Sequence, residues 1–290
     1  MKTPFVKAIA CSVLFCLSAN KIFALPSANF EDTTRKSLMA VNNKKAESVV
    51  VLKEANVEFP AILSGNESQS LDYVEKFFTA RKNYLLRTYQ RSKALFPKAI
   101  SILKKYNVPE EFKVLLALES GFNANAVSSA GAVGYWQIMD DVAREYGLKI
   151  ASGKKITKSP KLSSKKHREK AMVVDDRKNF VKSTHAAARY LKDRGRNLNN
   201  DWLLMVASYN CGVGNVWNAM EKTGKANPSF WDIKNYLPTE TRTYVMNFIA
   251  LNVMFNNYEK FSKNKLCFKP VTCKSEDIAK TLPDLCTISL

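Results

Sequence analysis

The sequence predicts a mainly α-helical domain with an extension at either end. Of its 290 residues 46% are hydrophobic and 24% charged, which is enough apolar material for a sizeable buried core. Glycine and proline are scarce, at 10 each, which argues against a turn-rich all-β chain. Apolar residues also recur at helical spacing over long stretches.

The elements follow in order. Lys2 and Lys7 frame a positive start, and Ala8 to Leu17 is a short apolar run. The run is too short to span a bilayer but has the length of a signal-peptide core. Small residues at Ala24 and Ala28 offer cleavage points, so residues 1–25 are expected to be a signal peptide and the chain to be exported to the periplasm or cell envelope. The plainer alternative is an uncleaved anchor. Phe15 before Cys16 is too bulky for a lipoprotein signal.

Residues 26–69 read as a linker, with Pro60 and Gly65 as breakers and Val49–Leu52 as a short extended piece. From Leu71, apolar residues at Val74, Phe77, Phe78, Leu85 and Tyr89 draw a helical stripe. A second helix is expected over Ala99–Tyr106. A third starts at Pro109-Glu110-Glu111, where proline and early acids suit a first turn, and reaches Glu119-Ser120-Gly121. Asn123–Gly134 is expected to be an ordered loop and the lysine-rich 149–170 a solvated insertion. Helices resume at Ser183–Asp193, with Ser183 as the cap, at Asp201–Tyr209 and at Thr239–Tyr258. Residues 259–290 form a tail with Cys267, Cys273 and Cys286, where one disulfide is reasonable in an oxidising compartment. No metal site is expected, because His167 and His185 lie far from these cysteines in sequence.

The formal charge of +19 favours anionic partners, such as acidic wall polymers or an anionic membrane surface. The basic residues are dispersed and no zinc-finger or RNA-recognition spacing accompanies them, so no specific nucleic-acid partner is expected.

Glu119 is the unusual residue. It ends an apolar run, Val114 to Leu118, where a carboxyl is partly desolvated. Desolvation disfavours the charged form and raises the pKa, which suits a general acid near neutral pH. Taken locally, a solvent-facing or lysine-paired glutamate remains the simpler reading.

The wider sequence changes that balance. Glu119-Ser120-Gly121-Phe122-Asn123, Ala126-Val127-Ser128 and Gly131 to Met139 form a first block. Ala207 to Gly214 form a second and Leu237 to Val245 a third, with Val174 to Arg177 and Ala186 to Leu191 between the first and second. In this order the blocks resemble the soluble lytic transglycosylase domain family, of goose-type lysozyme-like fold with a substrate cleft. The resemblance covers residues 70–258, with core motifs at 106–250, and the part before Glu119 looks like the membrane-bound type D branch. That branch often carries C-terminal wall-binding modules, and the stretch after the last helix is too short for one.

The resemblance implies cleavage of the β-1,4 bond between N-acetylmuramic acid and N-acetylglucosamine in peptidoglycan without water, leaving a 1,6-anhydro ring. No cofactor is implied. Glu119 would act as acid and then as base. Ser128 and Gln137 match cleft-lining positions, Tyr209 and Asn210 the aromatic and amide opposite the acid, and Glu240 and Tyr244 the third block. Simpler roles stand beside these: Ser128 as a turn cap, Gln137 as a bond to loop backbone, Glu240 as a partner of Arg242. Cys211 stands where alanine is common and reads as structural. Asp140-Asp141 stands where Pro-Ala or Pro-Thr is usual. With Asp175 they are the candidate bases for a competing hydrolytic reaction. A wall-binding protein with a dead cleft is the remaining alternative.

Overall fold

The computed structural model describes residues 49–150 and 174–274. The signal-peptide expectation, the lysine-rich insertion beyond residue 150 and the final cysteine lie outside the described residues. Among the described residues the architecture is mainly helical, as expected from composition and periodicity.

The chain enters through β1 (Val49–Lys53), a short 3-10 turn at Ala61–Leu63, and then α1 (Glu67–Ala80) and α2 (Lys82–Ser92). The single apolar stripe foreseen from Leu71 to Tyr89 is thus two helices broken at Arg81. A third helix, α3 (Phe96–Lys105), has proline in its first turn and leads through a 3-10 stretch at Glu110–Val114 into the short α4 (Leu115–Ser120). Next come α5 (Asp140–Glu145), α6 (Phe180–Asn197), α7 (Trp202–Cys211), α8 (Val213–Glu221), α9 (Phe230–Ile233), α10 (Thr239–Asn256), α11 (Tyr258–Ser262) and β2 (Val271–Lys274).

Helix α10 is the axis of the core. Val245, Met246, Phe248, Ile249, Leu251, Val253 and Met254 are all buried, so it is apolar around its whole circumference. Such a helix needs neighbours on every side. It has α1, α7, α2, α4 and α11. Helix α7 is buried without interruption from Leu203 to Ser208. On a second flank, α3 packs on α6.

Three sequence expectations need correction. Ser183 does not cap α6. Asn179 does, its side chain accepting from the Lys182 N–H at 3.1 Å, while the Ser183 hydroxyl donates back to the Asn179 carbonyl at 2.7 Å from inside the helix. Phe180 extends the apolar face by one turn, so the cap lies earlier. Helices α8 and α9 were not foreseen: α9 is barely one turn long, and α8 follows at once on α7 across the Gly212 break.

The third correction concerns the linker (26–69) and the tail (259–290). Their described parts belong to the folded unit. The Asn56 N–H donates to the Cys267 carbonyl at 2.9 Å, and the Asn56 side chain accepts from the Cys267 N–H at 2.8 Å. Asn257 clamps Glu58 in the same way, through its carbonyl at 3.0 Å and its amide at 2.6 Å. Leu63 is fully buried, and β1 pairs antiparallel with β2. Asparagine side chains here satisfy extended backbone that lacks a ladder partner. Such a segment shows no hydrophobic period, and composition misreads it as linker.

Candidate active site

Glu119 sits in the last turn of α4, and local chemistry explains why the helix stops there. Gly121 adopts φ +56° and Phe122 φ +68°. The Gly121 N–H bonds the Ala117 carbonyl at 3.2 Å and the Phe122 N–H bonds that of Leu116 at 3.1 Å. This left-handed closure satisfies the last carbonyls, and glycine takes the conformation without a Cβ penalty. Leu115, Leu116 and Ala117 anchor the helix in the core, so the acid is held by a rigid base.

The Glu119 carboxyl is mostly withdrawn from solvent. Burial pushes its pKa up from the ordinary 4.5 to about 7, opposed by a hydrogen bond from Tyr244 and assisted by the nearby charge of Glu240. The Tyr244 phenol on α10 donates to Glu119 Oε1. Among the described residues no side chain bonds Oε2, which leaves that oxygen to carry a proton. Glu240, one turn earlier on α10, is exposed, and no partnership with Arg242 forms; Arg242 donates to Thr239 Oγ1 instead.

Tyr209 rises from the end of α7. Its hydroxyl donates to the Trp136 carbonyl at 2.7 Å, and its ring meets Tyr190 edge-on at 5.6 Å. Burial and the adjacent Glu119 charge raise both the Tyr209 and Tyr244 phenols well above their usual range, so both stay neutral hydrogen-bond donors. The Asn210 side-chain oxygen Oδ1 accepts from Thr241 Oγ1 at 2.7 Å, tying the end of α7 to the start of α10.

The third wall is the loop from Ala126 to Met139. Bridges Val127–Val133 and Val133–Ile138 fold it into a compact hairpin. Ser128 closes this hairpin. Its Oγ accepts from the Ala132 N–H at 3.0 Å, which is the turn-capping role. The Gln137 amide nitrogen donates to the carbonyls of Ala126 at 3.1 Å and Gly134 at 3.0 Å. Gln137 therefore braces the loop, and it also lines a small cavity with Ile138, Met139, Val142, Tyr190 and Tyr209. Glu119, Tyr209, Glu240 and Tyr244 are thus brought together, Asn210 supports them, and Ser128 and Gln137 shape the loop.

Sequence reading missed two supports. Ser120, next to the acid, donates to the Tyr135 carbonyl at 2.9 Å and accepts from the Asn123 N–H at 3.2 Å, which fixes α4 against the loop. Buried Arg177 pairs with Asp175 at 2.8 Å and with Asp140, and donates to the Ile138 carbonyl at 3.2 Å. A signal for Arg177 was present, since an arginine directly after two aspartates invites a local ion pair. Of the candidate bases, Asp140 and Asp175 are therefore engaged with a guanidinium, and Asp141 is exposed on α5. Burying a paired charge is tolerable only with this many partners. Among the described residues no group of His, Cys, Asp and Glu is arranged to hold a metal ion.

Residues 98–231 match the family model described as "Transglycosylase SLT domain". The chain is 31% identical over 206 residues to "Membrane-bound lytic murein transglycosylase D" of Escherichia coli (strain K12), covering 70% of this chain and 40% of that protein. It is 26% identical over 136 residues to "Putative tributyltin chloride resistance protein" of Alteromonas sp. (strain M-1), covering 47% of this chain and 56% of that one. The chain thus spans well under two thirds of the length of these relatives. Among solved structures, the 70-kDa soluble lytic transglycosylase of Escherichia coli aligns with TM-score 0.41 and 18% identity over 74% of this chain and 39% of that one. An inactive mutant of lytic transglycosylase Slt from Pseudomonas aeruginosa aligns with TM-score 0.41 and 20% identity over 60% and 24%.

Proposed function

Because residues 98–231 make this chain a member of the transglycosylase SLT family, we propose that it is a peptidoglycan lytic transglycosylase with Glu119 as its single catalytic acid and base. The observation that carries this reading is the Glu119 carboxyl, raised to about 7, bound on one oxygen by Tyr244 and met on the other by no side chain among the described residues. At neutral pH a large share of such groups holds a proton, and the conjugate base is strong enough to take one back.

In the first half of the reaction, Glu119 Oε2 gives its proton to the glycosidic oxygen as the bond from that oxygen to the muramyl C1 breaks. In the second, the carboxylate removes the proton of the muramyl C6 hydroxyl, whose oxygen closes on C1. The proton count balances without water, and the product is a 1,6-anhydro end. Ring closure within one sugar gains the large effective molarity of an intramolecular step, so no second carboxylate is required. The pairing of Asp140 and Asp175 with Arg177 supports this over hydrolysis, because neither is free to activate water. Tyr209 is assigned to the reacting sugar's surroundings, and Gln137 and Ser128 to the cleft wall. Export to the cell envelope fits a peptidoglycan substrate. The formal +19 charge would draw the protein to acidic wall polymers there.

The test is digestion of purified sacculi with the full chain, read by product mass. Anhydro ends, lighter than hydrolysed ends by one water, are expected. Glu119→Gln should abolish lysis while retaining sacculus binding. Reducing ends as the main product would replace the reaction with hydrolysis, and lysis by Glu119→Gln would remove the acid assignment.

A further inference from the structure

We infer that Arg177 is a positioning residue for the cleft, holding the Gly134–Met139 wall at its working distance from Glu119; the inference rests on the catalytic reading above.

Arg177 lies in the segment between α5 and α6 and is 5% exposed. Its Nε donates to Asp175 Oδ1 at 3.0 Å and its Nη2 to Asp175 Oδ2 at 2.8 Å, a bidentate fork that fixes the guanidinium plane. The remaining Nη1 reaches across to the wall, donating to the Ile138 carbonyl and to Asp140, the two residues on either side of Met139. The Arg177 main chain grips the same wall at its other end. A Cβ on Gly134 would lie 2.1 Å from the Arg177 carbonyl oxygen, so these two backbones touch directly. One residue thus holds both ends of a six-residue segment.

What that segment carries gives the grip its consequence. The Trp136 carbonyl receives the Tyr209 hydroxyl, and the Tyr135 carbonyl receives Ser120, the residue beside the acid. Gln137, Ile138 and Met139 line the cavity that Tyr209 closes. These ties pass through backbone carbonyls of a wall that the buried Trp136 indole, donating to Thr184 Oγ1 at 2.9 Å, and the Tyr135 ring, edge-on to Phe180, anchor at its middle. The guanidinium adds the hold at the Ile138–Asp140 end, beyond the reach of those side chains. Lysine cannot replace it, since an ammonium offers no planar fork to span a carboxylate and a carbonyl at once.

The experiment compares wild type, Arg177→Ala, Arg177→Lys, Asp175→Asn and Glu119→Gln on soluble glycan strands, with rates scaled to the folded fraction of each. Displacement of a wall by about an ångström lowers turnover about 10- to 100-fold. A fall of that size in kcat is expected for Arg177→Ala and Arg177→Lys, with a smaller change in KM. Millimolar guanidinium added to Arg177→Ala should restore part of the lost kcat and leave Arg177→Lys unchanged. A structural role alone would lower Tm, leave kcat per folded molecule at the wild-type level and show no rescue; that result overturns the inference. Should Arg177→Ala not fold, Arg177→Lys and Asp175→Asn decide, and wild-type kcat in both overturns it equally. Lysis surviving in Glu119→Gln would instead strike the catalytic reading and leave the Arg177 comparison standing on its own rates.

Discussion

Replacing Glu119 with glutamine should make the folded protein more stable at pH 8 while removing its activity. The pKa of Glu119 rises from 4.5 to about 7 on folding, so between these values the native state holds a proton that the unfolded chain has lost. Stability therefore falls as pH rises through this window, because the native state binds more protons than the unfolded one. The shift of about 2.5 units, at about 1.4 kcal/mol per unit, amounts to about 3 kcal/mol of destabilisation, fully present above pH 7 and absent below pH 4.5. Glutamine keeps the shape, and its carbonyl can still accept the Tyr244 hydroxyl, but it has no charge to desolvate. For a folded unit of this size 1 kcal/mol moves Tm by about 2–4 °C. Glu119→Gln should then melt up to about 10 °C above wild type at pH 8, with the difference closing toward pH 4.5. Thermal melts of both proteins across this range measure it. A variant that melts at or below wild type at pH 8, or a gap that does not depend on pH, would refute the desolvation argument on which the acid assignment stands.

Two substitutions should move the Glu119 titration in opposite directions. Tyr244→Phe removes the hydrogen bond that holds the pKa down, so the alkaline fall in kcat/KM should shift to higher pH; Glu240→Gln removes a repelling charge, so the fall should shift to lower pH. Both are read from pH–rate profiles, and a shared direction would contradict the geometry. Gly134→Ala places a Cβ against the Arg177 carbonyl at a φ of +84°, and should destabilise by more than about 3 kcal/mol in denaturant melts. Asp201→Ala removes the cap whose carboxylate accepts from the Leu204 N–H at 2.9 Å, and should destabilise by about 1 kcal/mol with little change in turnover.

The helices that carry the site were legible because each motif sits at an element end with a readable signal. Gly121 ends α4, Asp201 starts α7, and the long apolar run after Glu240 could only be a buried helix. The suspicion about Glu119 was readable from the apolar residues before it. Tyr244 was named only through the family resemblance, and its bond to Glu119 was not read, because the two lie 125 residues apart and only tertiary packing joins them. The Arg177 clamp was hidden for a related reason. Its aspartate partner two residues back is visible in the sequence, yet its grip on Ile138 and Asp140 crosses 39 and 37 residues. Ser128 and Gln137 carried two readings each; both make bracing hydrogen bonds in the loop, and Gln137 also lines the cavity beside Tyr209. Asn56 and Asn257 were invisible because polar side chains that bond extended backbone leave no periodic trace.

The pairing of β1 with β2 has a mechanical consequence. Val49 lies opposite Lys274, so the first and last described residues sit at neighbouring points on one ribbon. Tension applied through the two ends meets the ladder rung by rung, as a zipper opens, rather than loading all rungs at once. The ribbon would then open before the amide clasps of Asn56 and Asn257, which stand next along the chain ahead of α1 and after α10. Tension of this kind would load the ribbon before the helices that carry Glu119, Tyr209 and Tyr244.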